Sequence, residues 1–419
     1  MLMNFERLKE FVVGDIVAIR GTALLEPAGG VGDKIFPPTH AVDGKKKAEP
    51  GAKYAFETRR IDGKDVRCVL IDSVQSQANR MEEALQALWT DKKIKLPVVS
   101  VDFSSIAPDG GRVTSLTAPH RIADALLRDS LLKDSDQLFR LSDTGKSFTD
   151  ASTKDATALF KVCPTGLVFG LWDSTGPKGG LGAKFQRALV SEIVGINAIP
   201  GSKTESRIDP LNILKKAADI YIAADDNERW TTEIEKAKKY ERNEKDHKQG
   251  DPIKFGEEGK PSEVNHGNVT PSIDSVGGGV TIDEAKHTVV LSLASLRRLG
   301  FSKGSEESRT VLAALGLLAV LASESRGHDL RSRCLLVPKK GFALKLEAVA
   351  RDGSTSPVDL DLAGAIALYN EAVNKLPDDI KFDKPAGEAL EELRPSPKLA
   401  DLVRKSRALA AVEADVGDA

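Results

Sequence analysis

The residues here whose types and spacing suit chemistry are three cations around a glycine-rich stretch: Lys178 within GPKGGLG (176–182), then Lys184 and Arg187 just beyond it. Upstream, the apolar run 167–172 is bounded by Pro164 and Gly166 on one side and by Asp173-Ser174-Thr175-Gly176-Pro177 on the other, which predicts a mostly buried strand. Downstream, Leu181, Phe185, Ala188, Leu189, Ile193 and Ile196 recur at three- and four-residue spacing, which predicts a helix with Lys184, Arg187 and Ser191 off its apolar stripe. Strand, glycine loop and helix start would converge loop amides, the positive helix end and cations on one point, a site for an anion such as a nucleic-acid phosphate. The other reading is a tight connection whose cations are merely solvated.

Further polar candidates lie elsewhere. Gln75, Asn79 and Arg80 open a helix directly after a strand, where ligands often bind, although ordinary helix surface explains Gln75 and Asn79 as well; Arg20 interrupts the first apolar run and Arg207 follows the central stretch. Asp33, beside Lys34 in a glycine loop, suits a metal or a ribose hydroxyl, yet a lone loop aspartate is usually a turn residue. Other chemistry is missing. The loop lacks G-x-x-x-x-G-K-[ST], Phe185 stands where a dinucleotide fingerprint needs a small residue, and Asp143 to Ser147 copies only the tail of a phosphate loop, with Arg140 in place of its first glycine. There is no G-x-S-x-G and no H-E-x-x-H, and the six histidines show no ligand spacing with one another or with cysteine. The expectation is no metal, no cofactor and no enzyme.

The elements that must position these residues read as follows. A strand over 15–25 is followed by a long basic Gly/Pro loop, 26–67, containing a hairpin around Asp62-Gly63. A strand over 68–71 leads through a cap at Asp72 or Ser73 into a helix striped by Val74, Ala78, Met81, Leu85 and Leu88. Residues 91–162 are mixed, with a helix near 120–132. Residues 225–268 carry nine Lys/Arg against twelve Asp/Glu and little apolar periodicity, which predicts an exposed excursion. A buried helix at 308–322 and strands at 333–337 and 342–349 complete the core, and 351–419 reads as acidic and helical. The fold class is α+β.

Composition sets outer limits. With 419 residues and 41% apolar content the chain can bury a substantial core, and a net charge of −2 announces no nucleic-acid binder. The charge is unevenly spread: 34–67 holds nine Lys/Arg against five Asp/Glu, and 351–419 nine against fourteen. Three widely spaced cysteines predict a reducing compartment, and no apolar run reaches the roughly 20 residues a membrane span needs, so a soluble cytoplasmic protein is expected.

Four segments, GGVGDKIFPPTHA (29–41), VLIDSVQSQANRMEEAL (69–85), LVFGLWDSTGPKGGLGAKFQRALVSEIVG (167–195) and LSLASLRRLGF (291–301), resemble the crRNA-binding backbone subunit of the type I-G (earlier I-U) CRISPR Cascade complex, in the RAMP superfamily. The resemblance implies a right-hand shape: an RRM-like (ferredoxin-like) palm over 1–350 whose halves are the strand-helix pairs 68–90 and 167–197, with 91–162 finger-like, 200–285 thumb-like and 351–419 appended. It implies a non-catalytic subunit that oligomerises along crRNA, with target DNA reached through the guide, other copies of itself and other Cascade subunits as partners, and no membrane. Under it Lys178, Lys184 and Arg187 become the leading RNA contacts, followed by Arg20, Gln75, Asn79, Arg80 and Arg207. Aromatics are only 5% of the chain and the RNP1 consensus is missing, so phosphate contact is expected over base stacking on the sheet. Related type III subunits cleave RNA with a loop aspartate, which leaves a metal-dependent ribonuclease using Asp33 as the alternative.

Overall fold

The computed structural model describes residues 3–42, 49–174, 183–225, 228–243 and 247–417, with side chains to residue 410. Lys178 and the whole of its glycine loop, 176–182, lie outside the described residues. The chain divides into two compact units, one of residues 1–45, 52–200 and 279–400, the other of 46–51, 201–278 and 401–419.

The larger unit is built on a nine-stranded antiparallel sheet. Its first strand, Ile16–Pro27, alternates buried Ile19, Ala23 and Leu25 with exposed Arg20 and Thr22, as a sheet with one covered face requires. On one edge that strand pairs with Leu335–Pro338 and Lys345–Ala350; on the other it pairs with Glu284–Ser292, which pairs in turn with Leu189–Ile196. A hairpin, Phe56–Ile61 and Lys64–Asp72, extends the sheet beyond Leu189–Ile196. Its turn residues Asp62 and Gly63 both have positive φ, the type I′ geometry expected of Asp-Gly.

Two helices cover one face. Val74–Thr90 is capped by Ser73, whose side chain accepts from the Ser76 amide, and it packs against Leu189–Ile196. Ser305–Glu324 is buried along most of its length against that helix and Glu284–Ser292. A second, four-stranded sheet in the same unit joins Arg112–Thr114, Val99–Asp102, Glu391–Pro395 and Ser130–Leu132, with Glu391–Pro395 parallel to Val99–Asp102. The end of the chain therefore contributes strands as well as the helices Leu362–Asn374 and Pro397–Gly417. The smaller unit has the ladder Lys203–Arg207 with Val269–Asp274 and a small cluster of Ile220, Phe255 and Val264.

Three expectations are corrected. The run expected as a strand at 167–172 is a helix, Pro164–Phe169, begun by Pro164 in its first turn and buried on all sides, followed only by the two-residue strand Leu171–Trp172. The helix expected from Leu181 is instead two strands, Lys184–Phe185 and Leu189–Ile196. Phe185, Leu189 and Ile193 fall four apart, a spacing that satisfies both a helical stripe and one face of a strand, and the β-branched Val190, Ile193, Val194 and Ile196 settle it for the strand. The helix near 120–132 is a 3₁₀ turn, Arg121–Ala123, and a short helix, Ala125–Arg128, before a strand.

Candidate nucleic-acid interface

With strands at Lys184–Phe185 and Leu189–Ile196, the cations do not sit on the first turns of a helix. They are organised by a different device. Leu171–Trp172 pairs antiparallel with Lys184–Phe185, so that Trp172 sits directly opposite Lys184, whose Nζ lies 5.3 Å from the centre of the indole ring. Trp172 is 58% exposed, unusual for a residue of that size.

This ribbon forms one wall of a groove of about 850 Å³ that also takes in Gln75, His120, Gln186 and Arg187. Among the described residues no Asp or Glu lines it, and neither Lys184 nor Arg187 pairs with a carboxylate. Cations, amides and an exposed aromatic face without competing acids can hold a phosphate and stack a planar group beside it.

Buried charges fix the groove floor. Arg121 donates to both oxygens of Glu82 at 2.7 Å and to the Gly170 carbonyl at 3.0 Å, which locks the chain just before Trp172. Arg121 has φ +55, a backbone state that costs a non-glycine residue about 1–3 kcal/mol and persists only where its surroundings hold it. Burial pushes the Glu82 carboxyl up to about 7, against the pull of the Arg121 guanidinium. Beyond Trp172, the buried Asp173 carboxylate takes a charged hydrogen bond from Arg140, and the Asp173 amide donates to the Ala183 carbonyl. The Trp172 segment is thus anchored on both sides.

Of the residues singled out from sequence, the groove brings together Gln75, Lys184 and Arg187. Asn79 is exposed one turn further along the same helix as Gln75. Arg80 is occupied structurally: with Gln77 and Arg331 it satisfies the fully buried Asp72, and it donates to the Leu330 carbonyl. Arg20 lies on the exposed sheet face, 2.6 Å from Glu347. Arg207 belongs to the smaller unit and donates twice to the Gly267 carbonyl. Asp33 accepts from the Lys34 amide in a turn. Sequence reading missed Trp172, His120 and Arg121; the tryptophan next to a turn sequence was the available signal. Residues able to hold a metal come together elsewhere, as His287, Glu324 and His328, none of which lines the groove. No helix among the described residues is long and apolar enough to cross a membrane.

Residues 19–200 match the family model described as CRISPR-associated protein GSU0053. Every residue lining the groove falls inside that stretch. No curated protein matches the chain. Among solved structures it is distantly similar to Csc2 of Thermofilum pendens, at 11% identity and a TM-score of 0.26 over 100% of this chain and 85% of that one. It is similar also to a chain of a CRISPR RNA-guided surveillance complex in a pre-nicking state, at 13% identity and a TM-score of 0.29 over 93% and 99% respectively.

Proposed function

We propose that this protein is a non-catalytic crRNA-binding backbone subunit of a type I CRISPR surveillance complex, of the I-G kind, and that the Trp172 groove is where it grips the guide. The observation that carries the reading is a groove with Lys184, Arg187, Gln75, an exposed Trp172 and no carboxylate among its described residues, lying within the stretch similar to a CRISPR-associated family. Strand order supports an RRM-like palm. Taking Ile16–Pro27, Leu189–Ile196, Glu284–Ser292 and the 335–350 strands as first to fourth, the sheet runs fourth, first, third, second, with Val74–Thr90 and Ser305–Glu324 as crossover helices, the β-α-β-β-α-β arrangement of ferredoxin-like domains. The palm halves are then different from those expected from sequence: the second crossover helix is Ser305–Glu324.

In this mechanism Lys184 and Arg187 neutralise phosphates, Gln75 and Gln186 hydrogen-bond sugar or phosphate oxygens, and the indole face stacks one base irrespective of its identity. A subunit that reads no bases accepts any guide, leaves base edges free to pair with target DNA, and can repeat along the strand beside further copies and other Cascade subunits. Asp33 is a turn residue on this reading.

The test is fluorescence anisotropy with single-stranded RNA at several salt concentrations. Lys184→Glu with Arg187→Glu is expected to weaken binding and to flatten the slope of log affinity against log salt by about 0.7 per lost contact. Unchanged affinity and slope would remove the groove from the RNA path. In parallel, RNA incubated with the protein and Mg²⁺ or Mn²⁺ is expected to stay intact; cleavage that disappears in Asp33→Ala would make the protein a ribonuclease instead.

A further inference from the structure

A chain of buried polar groups runs between the sheet and its helices and ends in an electrostatic gap. Asp72, fully buried, is held by Arg80 and Arg331 and accepts the Gln77 side-chain amide N–H at 2.7 Å. A carboxylate only accepts, so Gln77 must turn its carbonyl oxygen the other way, onto Ser191. The Ser191 hydroxyl donates its single proton to that oxygen at 2.9 Å. Having no second proton, Ser191 must accept from His287 Nε2, 2.8 Å away. The Nε2 proton of His287 is thereby fixed, which leaves Nδ1 as the atom that faces Glu324.

Nδ1 therefore meets the Glu324 carboxylate either through a proton or through a metal cation. His287 is 2% exposed and its Nδ1 makes no well-aligned hydrogen bond among the described residues, yet it lies 3.2 Å from Glu324 Oε1. The other Glu324 oxygen is 3.5 Å from His328 Nε2, also buried. A neutral imidazole nitrogen and a carboxylate oxygen so placed repel one another unless a proton or a metal cation stands between them. Ligand atoms of a tetrahedral zinc ion with bonds of about 2.0–2.1 Å are themselves about 3.3 Å apart, and the three candidate atoms here lie within 4.8 Å of one another.

We propose that His287 Nδ1, Glu324 and His328 Nε2 bind one divalent transition-metal cation of the zinc class. Two imidazoles and a carboxylate are the donor set of borderline metals rather than Mg²⁺ or Ca²⁺, and water fills the remaining position. Ser191 is the outer partner that orients the first imidazole through its far nitrogen. The three ligands come from the sheet strand Glu284–Ser292, the last residue of the helix Ser305–Glu324, and the short strand His328–Asp329. The ion therefore ties the end of the second crossover helix to the sheet, a structural role independent of RNA binding.

The experiment uses the full chain with any histidine tag removed. After incubation with Zn²⁺ and desalting, elemental analysis is expected to show about one zinc per chain, a chelator to lower the Tm, and Zn²⁺ to restore it. Co²⁺ in place of Zn²⁺ is expected to give the visible bands of a tetrahedral site, a readout on the unmutated protein that survives even if variants misfold. Glu324→Gln and His328→Ala are expected to lose the ion and the chelator sensitivity. Substoichiometric zinc with a Tm indifferent to Zn²⁺ and chelator would overturn the proposal and assign the gap to a proton on His287.

Discussion

At Gly170 the backbone makes room for the groove. Its φ of +88 lies in the left-handed region, and a Cβ there would sit 3.0 Å from Arg187 Cγ and 3.2 Å from the Phe185 carbonyl. Gly170→Ala is therefore expected to destabilise by about 1–3 kcal/mol and to displace Arg187, so that RNA affinity falls even at temperatures where the variant is folded. Thermal unfolding and anisotropy measured together check this; a variant with normal stability would mean that the turn relaxes. Trp172 offers a more selective probe, because its exposed face contributes little to the core. Trp172→Ala is expected to cost about 1–3 kcal/mol in RNA affinity with little change in Tm, while Trp172→Phe keeps most of the binding. Equal losses in both variants would argue against stacking.

At the scale of elements, Arg121 and Glu82 join the helix Val74–Thr90 to the 121–123 turn and, through Gly170, to the groove ribbon. Burial raises the folded-state pKa of Glu82 from an ordinary 4.5 to about 7. A carboxyl raised in this way opposes folding when ionised: the cost is absent below the unfolded value, grows between about 4.5 and 7, and is constant above. Arg121→Met removes the guanidinium that favours the ionised form, so the window extends upward. The variant is expected to lose about 3–5 kcal/mol at pH 8 and distinctly less at pH 5, where Glu82 takes up a proton. Denaturant titrations at the two pH values test the sign. A deficit that grows toward low pH would show that Glu82 stays ionised without its partner.

For the whole molecule, the two units make separable predictions. The strand Ile199–Pro200 pairs with Val280–Thr281, so the chain leaves the larger unit and returns to it at adjacent points. Gly201 and Gly278, the residues just outside that pair, are in contact, with no space for a Cβ at Gly278. Replacing 202–277 by a short Gly/Ser linker is expected to leave the main unfolding transition within a few degrees, since the segment's described core is the small Ile220, Phe255 and Val264 cluster. Insoluble protein would show that the larger unit depends on it. If the protein is a backbone subunit, RNA binding is also expected to be indifferent to sequence but to climb steeply once the strand holds two or more copies. Mass photometry on a ladder of RNA lengths would then show growth in steps of one protein mass. A single 1:1 species at every length would rule that assembly out.

Local chemistry was legible in the sequence wherever it was self-sufficient. The Asp62-Gly63 hairpin, the Ser73-capped helix, the buried helix at 305–324 and the strands at 16–27, 335–338 and 345–350 follow from turn residues, a cap and apolar runs that need no partner to be read. Lys184, Arg187 and Gln75 were identified by residue type and neighbourhood, and they do share one groove. What failed was the 163–200 stretch, where four-residue spacing fits both periods, and the β-branched residues that favour a strand there are confirmed by pairing with Glu284–Ser292. Tertiary structure alone decided the rest. It spent Arg80 on a buried aspartate, placed Arg20 and Arg207 outside the groove, exposed Trp172, and brought His287 to Glu324 and His328. The physical reason is common to all of them: whether a charged or aromatic side chain is free to meet a ligand depends on which distant group the fold sets beside it, and sequence spacing carries no record of that.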